Sequence, residues 1–279
     1  MNDAAPDFSV PAPASSPGPE LRVQALHALA LADWADKLRA VDAMSTDGPI
    51  DTQALLACPA GLPGRPQRPE LVAPAQLKPR PVGTPGGRAA LIHALAHIEF
   101  NAVNLALDIV WRFAAMPADF YRDWLRVAKE ESSHFQLLNS HLGTLGHTYG
   151  DFPAHNGLWE MAEKTGADLA ARLTLVPRIL EARGLDASPP IRDKLLAAGD
   201  TAGAAILEII LRDEIGHVAI GNRWWRHLCL AHGKDSVAWH AELAARYAAP
   251  RQRGPFNLAA RRAAGFDEAE LAILAAPPC

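Results

Sequence analysis

Apolar residues recur along this chain at intervals of three and four, the period of a helix with one buried face. From Glu20 to about Met44, the positions Leu21, Ala25, Leu26, Leu29, Trp34, Leu38 and Val41 predict an N-terminal amphipathic helix. The pattern then fails. Residues 46–88 are crowded with Pro and Gly and predict a long extended connection, an irregular surface loop wrapping over the helices. Four long helical patterns follow. The first, about Gly87 to Phe113, turns Ile92, Leu95, Ala96, Glu99, Val103, Ala106 and Val110 inward. The second, about Ala118 to Leu145, carries Phe120, Trp124, Val127, Glu131, His134 and Leu138 inward and ends at Gly143 and Gly146. After a connection over Asp151 to Glu160, the third runs from Ala167 to Arg183 with Leu169, Leu173, Val176, Leu180 and Glu181 inward, closing at Gly184. Pro177 predicts a kink or bulge one turn before Glu181, which leaves the placement of that acid open. A loop at Pro189-Pro190 leads to the fourth, from Ile191 to Leu230 with a break near Gly199. One or two short helices complete residues 232–279.

The expected organisation is all-α: a disordered Ala/Pro/Ser-rich tail over 1–19, the helix and connection over 20–88, a four-helix bundle over 89–230 and a helical appendage over 231–279. The length of 279 residues allows a sizeable core. A formal net charge of −4 gives no case for nucleic acid or an acidic membrane surface. Cys58, Cys229 and Cys279 form no Cys-x-x-Cys, which argues against a zinc ribbon or a disulfide framework and fits a reducing compartment. The start has no basic, apolar signal pattern, and no uninterrupted apolar run is long enough to span a membrane. A soluble, cytoplasmic protein is expected.

The chemistry lies in the acids on the apolar stripes. In the stretch Ile206 to Ile220, Glu214 and His217 sit one turn apart and leave the helix on one face, roughly 60° apart, beside Ile210, Val218 and Gly221. A buried carboxylate is costly unless something offsets its charge, and a metal ion does so directly. The other helices supply partners: Glu99 alone, Glu131 with His134, and Glu181 alone. Glu99 to Glu131 spans 32 residues, Glu181 to Glu214 spans 33, and Glu131 to Glu181 spans 50, room for a crossover between two helix pairs. A single Glu from two helices and Glu-x-x-His from the other two is the ligand order of a ferritin-like di-iron bundle. Four carboxylates and two imidazoles suit two iron ions, with manganese or a manganese–iron pair as the alternative.

These motifs resemble the ferritin-like superfamily, including ferritins, rubrerythrins and the small subunits of ribonucleotide reductases. The segments His93-Ala-Leu-Ala-His-Ile-Glu-Phe-Asn, Phe120-Tyr-Arg-Asp-Trp-Leu, Gly150-Asp-Phe-Pro-Ala-His, Val176-Pro-Arg-Ile-Leu-Glu-Ala-Arg-Gly-Leu-Asp and Leu211-Arg-Asp-Glu-Ile-Gly-His look like a bacterial ferritin-like family of unknown function, over most of residues 20–260. The resemblance implies that Glu130 and Asp213 hold the imidazoles of His217 and His134. It further implies an O2-dependent oxidase or hydroxylase of a small or modified substrate, fed by an external reductant. The alternative is a ferroxidase, peroxide-scavenging or iron-binding protein with no organic substrate. A homodimer is compatible with either. Leu138 stands where a radical-generating subunit has its Tyr, so a stable tyrosyl radical of that kind is not expected. His97 is expected to be structural, and Glu208, opposite His217, to pair with Arg212.

Overall fold

The computed structural model describes residues 20–78 and 80–276; the expected tail lies outside them. Among the described residues there is no β-strand, only an isolated bridge between Leu71 and Ala154, and the fold is all-α. Two long helices form its first half. Thr84 starts α3 (Pro85–Arg112) by accepting the Gly87 N–H at 3.1 Å, with Pro85 in the first turn, where its missing N–H costs nothing. After a short link, α4 (Ala118–Thr144) folds back along it and buries Phe120, Trp124, Val127, Glu131, His134 and Leu138.

Every residue of α3 from Glu99 to Trp111 is buried, well beyond the single stripe expected. The cause lies upstream. The predicted first helix is in fact two, α1 (Leu21–Ala30) and α2 (Trp34–Ala43), because the Asp33 carboxylate accepts the Asp36 N–H at 2.9 Å and starts a new helix. α1 packs on α3 and α2 on α4. Arg22 of α1 is buried and donates to the carbonyls of Val110 and Trp111 at 3.3 and 2.8 Å, satisfying acceptors that the last turn of α3 leaves open. By length and composition α3 could cross a membrane, which the expectation of no such run missed because acids and amides interrupt the segment. Here 72% of its most apolar window is buried inside the protein. The Pro/Gly-rich connection is irregular apart from one turn at Pro74–Gln76, and it is fastened down rather than loose. Gly64 N–H donates to Leu29 O, Val72 N–H to Ala154 O, and Lys37 Nζ to Gly64 O.

The second half departs further from expectation. α5 (Gly157–Lys164) occupies the connection. α6 (Leu169–Leu175) passes into a π-helical segment, Val176–Glu181, and then directly into α7 (Ala182–Ala197). Pro177 cannot donate to the preceding turn and its ring crowds it, so the backbone widens by one residue, the bulge anticipated from its position. Gly184 and Pro189-Pro190 do not end this helix. The carbonyl that Pro189 cannot reach, Leu185 O, takes the Asn257 side chain at 3.3 Å, and Ser188 Oγ donates to Gly184 O at 2.8 Å. The break comes at Gly199, whose φ of +77° only Gly adopts at little cost. Asp200 then caps α8 (Thr201–His232) through the Gly203 N–H at 2.8 Å. Asp108, buried on α3, ties the halves together by pairing with the buried Arg172 of α6 at 2.6 Å. Three short helices finish the described chain, α9 (Ser236–Arg246), α10 (Leu258–Ala263) and α11 (Glu268–Ala275), one more than expected. Ala260 of α10, Leu271 of α11, and Ala264 and Phe266 of the link between them join Ala182, Leu185 and Val218 in a second, smaller core.

Candidate metal centre

The acids and imidazoles foreseen on four separate helices converge in the interior. Glu99 on α3, Glu131 and His134 on α4 and Glu214 on α8 are all buried and offer donor atoms within 4.8 Å of one another. His217 joins them, fully buried, with Nδ1 3.0 Å from Glu131 Oε1 and 3.7 Å from Glu214 Oε1. On the other side His134 Nδ1 lies 3.3 Å from Glu131 Oε2 and 3.5 Å from Glu99 Oε2. Glu131 thus stands between the two imidazoles, whose ring centres are 5.8 Å apart. Glu181 closes the cluster from the end of the π-helical segment; the residue is half-buried but its Oε2 is fully enclosed. It falls outside the tight four-residue group.

Each imidazole is held from behind. His217 Nε2 donates to Glu130 Oε2 at 2.7 Å, and His134 Nε2 to Asp213 Oδ2 at 3.1 Å. Each acid belongs to one helix and its histidine to the other, so the two contacts cross between α4 and α8. An Nε2 proton held in this way leaves Nδ1 of each ring facing the carboxylates. Glu130 and Asp213 are also the more exposed members, their side chains 38% and 21% accessible, so they mark where the cluster approaches solvent. Arg212 turns to Asp213 at 2.8 Å, and Glu208 lies 3.8 Å from Arg192, not against Arg212 as expected. Neighbouring side chains outbid a pairing one turn away. His97 points to Tyr149 Oη at 2.8 Å and His155 O at 3.0 Å, a structural role outside the cluster.

Five donor atoms in this small volume have no hydrogen-bond partner within the protein: Glu99 Oε2, Glu131 Oε1, Glu181 Oε2, Glu214 Oε2 and His217 Nδ1. The last lies 3.0 Å from Glu131 Oε1. Buried polar atoms are nearly always paired, and five orphans aimed at one another are costly unless a cation sits among them. The residues present therefore fit a metal ion. Without one, protons carry the balance. Burial first, then the Glu131 charge, raises Glu99 well above the carboxylate range. Burial and then Glu214 and Glu131 push Glu181 up to about 8. Burial alone would raise Glu131 too, but the His217 charge and the hydrogen bonds around it hold it well below the ordinary value. Burial works against the His134 cation, yet Glu131 and Glu99 outweigh it and raise this imidazole to about 11.

Within the cluster the pH dependence has one sign. Glu181 titrates near 4.5 when unfolded and near 8 when folded, so the folded chain holds the extra proton between these values and loses stability as the pH rises through them. His134, raised from 6.5 to about 11, contributes stability that is complete below 6.5 and is lost as the pH climbs towards 11. Lys37, lowered by burial to about 7, works the other way above pH 7, so the cluster's share is read as a difference. Metal-free wild type is expected to lose more melting temperature between pH 6 and pH 9 than metal-free Glu181→Gln, which lacks the titrating carboxyl. Equal losses in the two would contradict the electrostatics.

The fold and the cluster define a class: an all-α protein with a buried carboxylate–imidazole group able to hold a metal ion. Within that class the chain belongs to the DUF455 family, proteins of unknown function, whose model matches residues 15–272. An uncharacterized protein of Haemophilus influenzae is 51% identical over 213 residues, which cover 74% of this chain and 74% of that one. No solved structure matches the chain.

Proposed function

We propose that this protein is a ferritin-like di-iron carboxylate protein, and that it works as an O2-dependent oxidase or hydroxylase of a small substrate. The observation that carries the reading is the set of five unpartnered donor atoms, brought into one buried volume from four helical segments. Glu99, Glu131, His134, Glu181, Glu214 and His217 would hold the metals. Oxygen-rich donors with two imidazoles favour iron or manganese over soft-metal sites. Bound iron would supply the redox reactivity towards O2 that no side chain here possesses. The residues themselves do the rest. Glu131 can reach towards both histidines at once. Glu130 and Asp213 fix the imidazoles with Nδ1 inward. Ile210, buried in the main core one turn before Glu214, helps keep the inner side dry.

Glu130→Gln and Asp213→Asn test the held imidazoles. Each replaces a charged acceptor by a neutral one of the same shape, and each is expected to weaken Fe(II) binding about 10–100-fold without loss of helix. Isotherms equal to wild type in both variants would remove the positioning role. The functional reading itself is tested by anaerobic Fe(II) titration, followed by a measured pulse of O2. Two equivalents of iron bound per chain, with O2 consumed once and then only on addition of reductant, is the expected result. Continuous O2 uptake driven by Fe(II) alone would instead favour a ferroxidase. Failure to bind iron or manganese would overturn both.

A further inference from the structure

The C-terminal helices, which carry no motif of their own, close a second feature. A cavity of about 150 Å³ lies between the π-helical segment, α9 and α11. Val237, Phe266, Ile273 and Leu274 give it an apolar wall, and Arg178, His240 and Glu270 gather on its lining. Arg178 is only 1% exposed, its guanidinium over the rings of Trp225 and Phe266 at 4.9 and 5.4 Å. It donates to Asn222 Oδ1 at 2.8 Å and to His240 Nδ1 at 2.9 Å, and pairs with Glu270 Oε1. A ring nitrogen that accepts from a guanidinium carries no proton, so the His240 proton sits on Nε2 as a further donor. Burial and the Arg178 charge lower His240 to about 4, which keeps it neutral.

A buried guanidinium must have its donors and its charge matched, here by a carboxylate. The one it has comes from α11, an eight-residue helix with Leu271 as its only buried residue. Glu270 also has a second place to go. Its Oε2 already accepts the Asp267 N–H at 3.0 Å in the capping box of α11, so releasing Arg178 does not strand it. A structural ion pair needs no apolar cavity beside it, whereas fixed donors at one edge of an apolar wall are how sites for small amphipathic ligands are built. A cavity of roughly 150 Å³ lined by aliphatic and aromatic residues takes a benzene-sized body.

We propose that this cavity binds a small organic monocarboxylate, whose carboxylate replaces that of Glu270 on Arg178 and whose apolar body lies against Val237, Phe266, Ile273 and Leu274. The site is separate from the metal cluster and does not depend on how that cluster is read. Calorimetric titration of the full chain with benzoate, and with benzyl alcohol as the uncharged counterpart, tests it. Benzoate is expected to bind saturably, and benzyl alcohol at least tenfold more weakly. Glu270→Gln removes the competing charge while keeping an acceptor for Asp267, and should tighten benzoate at least tenfold and enlarge its stabilising shift in melting temperature. Val237→Phe should fill the cavity and abolish binding with little change in the melting temperature of the free protein. No saturable binding of millimolar benzoate by either wild type or folded Glu270→Gln would overturn the proposal. So would equal affinity for acid and alcohol, or Val237→Phe binding as wild type does.

Discussion

Glu131→Ala is expected to lower iron affinity by more than about 100-fold, beyond the range typical of outer hydrogen-bond partners. Its two oxygens face the two imidazoles at 3.0 and 3.3 Å, so no other acid contacts as many members of the cluster. His217→Ala should cost less, leaving the Glu99, Glu131, His134 and Glu214 group able to retain one ion. The helices should survive either change. Removing Glu131 takes a charge out of an interior where Glu99, Glu181 and Glu214 are already forced towards their neutral forms. Stability separates the two states clearly. Metal at 1,000 times its dissociation constant stabilises wild type by about 4 kcal/mol, and Glu131→Ala, at least 100-fold weaker, should keep no more than about 1.4 kcal/mol of that gain. Elemental analysis and melting curves with and without Fe(II) check it. A variant that keeps two ions per chain and the full holo increment would sink the site.

The convergence of these acids was legible because two independent patterns overlapped. The period of 3.6 marked the inward faces, and on those faces Glu99 and Glu131, then Glu181 and Glu214, broke an apolar rule at matching intervals of 32 and 33 residues. The crossed contacts of Glu130 and Asp213 were reachable by resemblance alone, since nothing in a helical wheel says that an acid one step off the buried stripe reaches a histidine on another helix. What stayed hidden was hidden for physical reasons. The end foreseen at Gly184 and the loop at Pro189-Pro190 are local preferences overridden by tertiary partners, Asn257 supplying what Pro189 cannot. The division at Asp33 rests on one capping carboxylate inside an otherwise continuous apolar pattern. Arg178, His240 and Glu270 meet from three segments up to 92 residues apart, with no spacing rule to join them.

Gly221→Ala is expected to damage both stability and the metal centre, from a residue with no chemistry. On α8 this glycine lies one turn beyond His217 and against the ring of Pro177; an added Cβ would fall 2.4 Å from Pro177 Cβ and 2.8 Å from its Cγ. Neither partner can rotate away, because one atom is fixed to the α8 backbone and the other belongs to a ring within the π-helical segment. The strain must move one backbone off the other, at a cost of about 3 kcal/mol, or on the order of 5–10 °C in melting temperature. Glu181 ends the same π-helical segment, so displacing Pro177 carries this carboxylate away from Glu214 and His217. Iron affinity should therefore fall with stability. Gly216→Ala supplies the control on the same helix. Nothing lies within 4 Å of a Cβ built there, so helix propensity alone should leave that variant as stable as wild type or up to about 1 kcal/mol more stable. If Gly221→Ala melted and bound iron as Gly216→Ala does, the close packing of α8 on Pro177 could not be what positions Glu181.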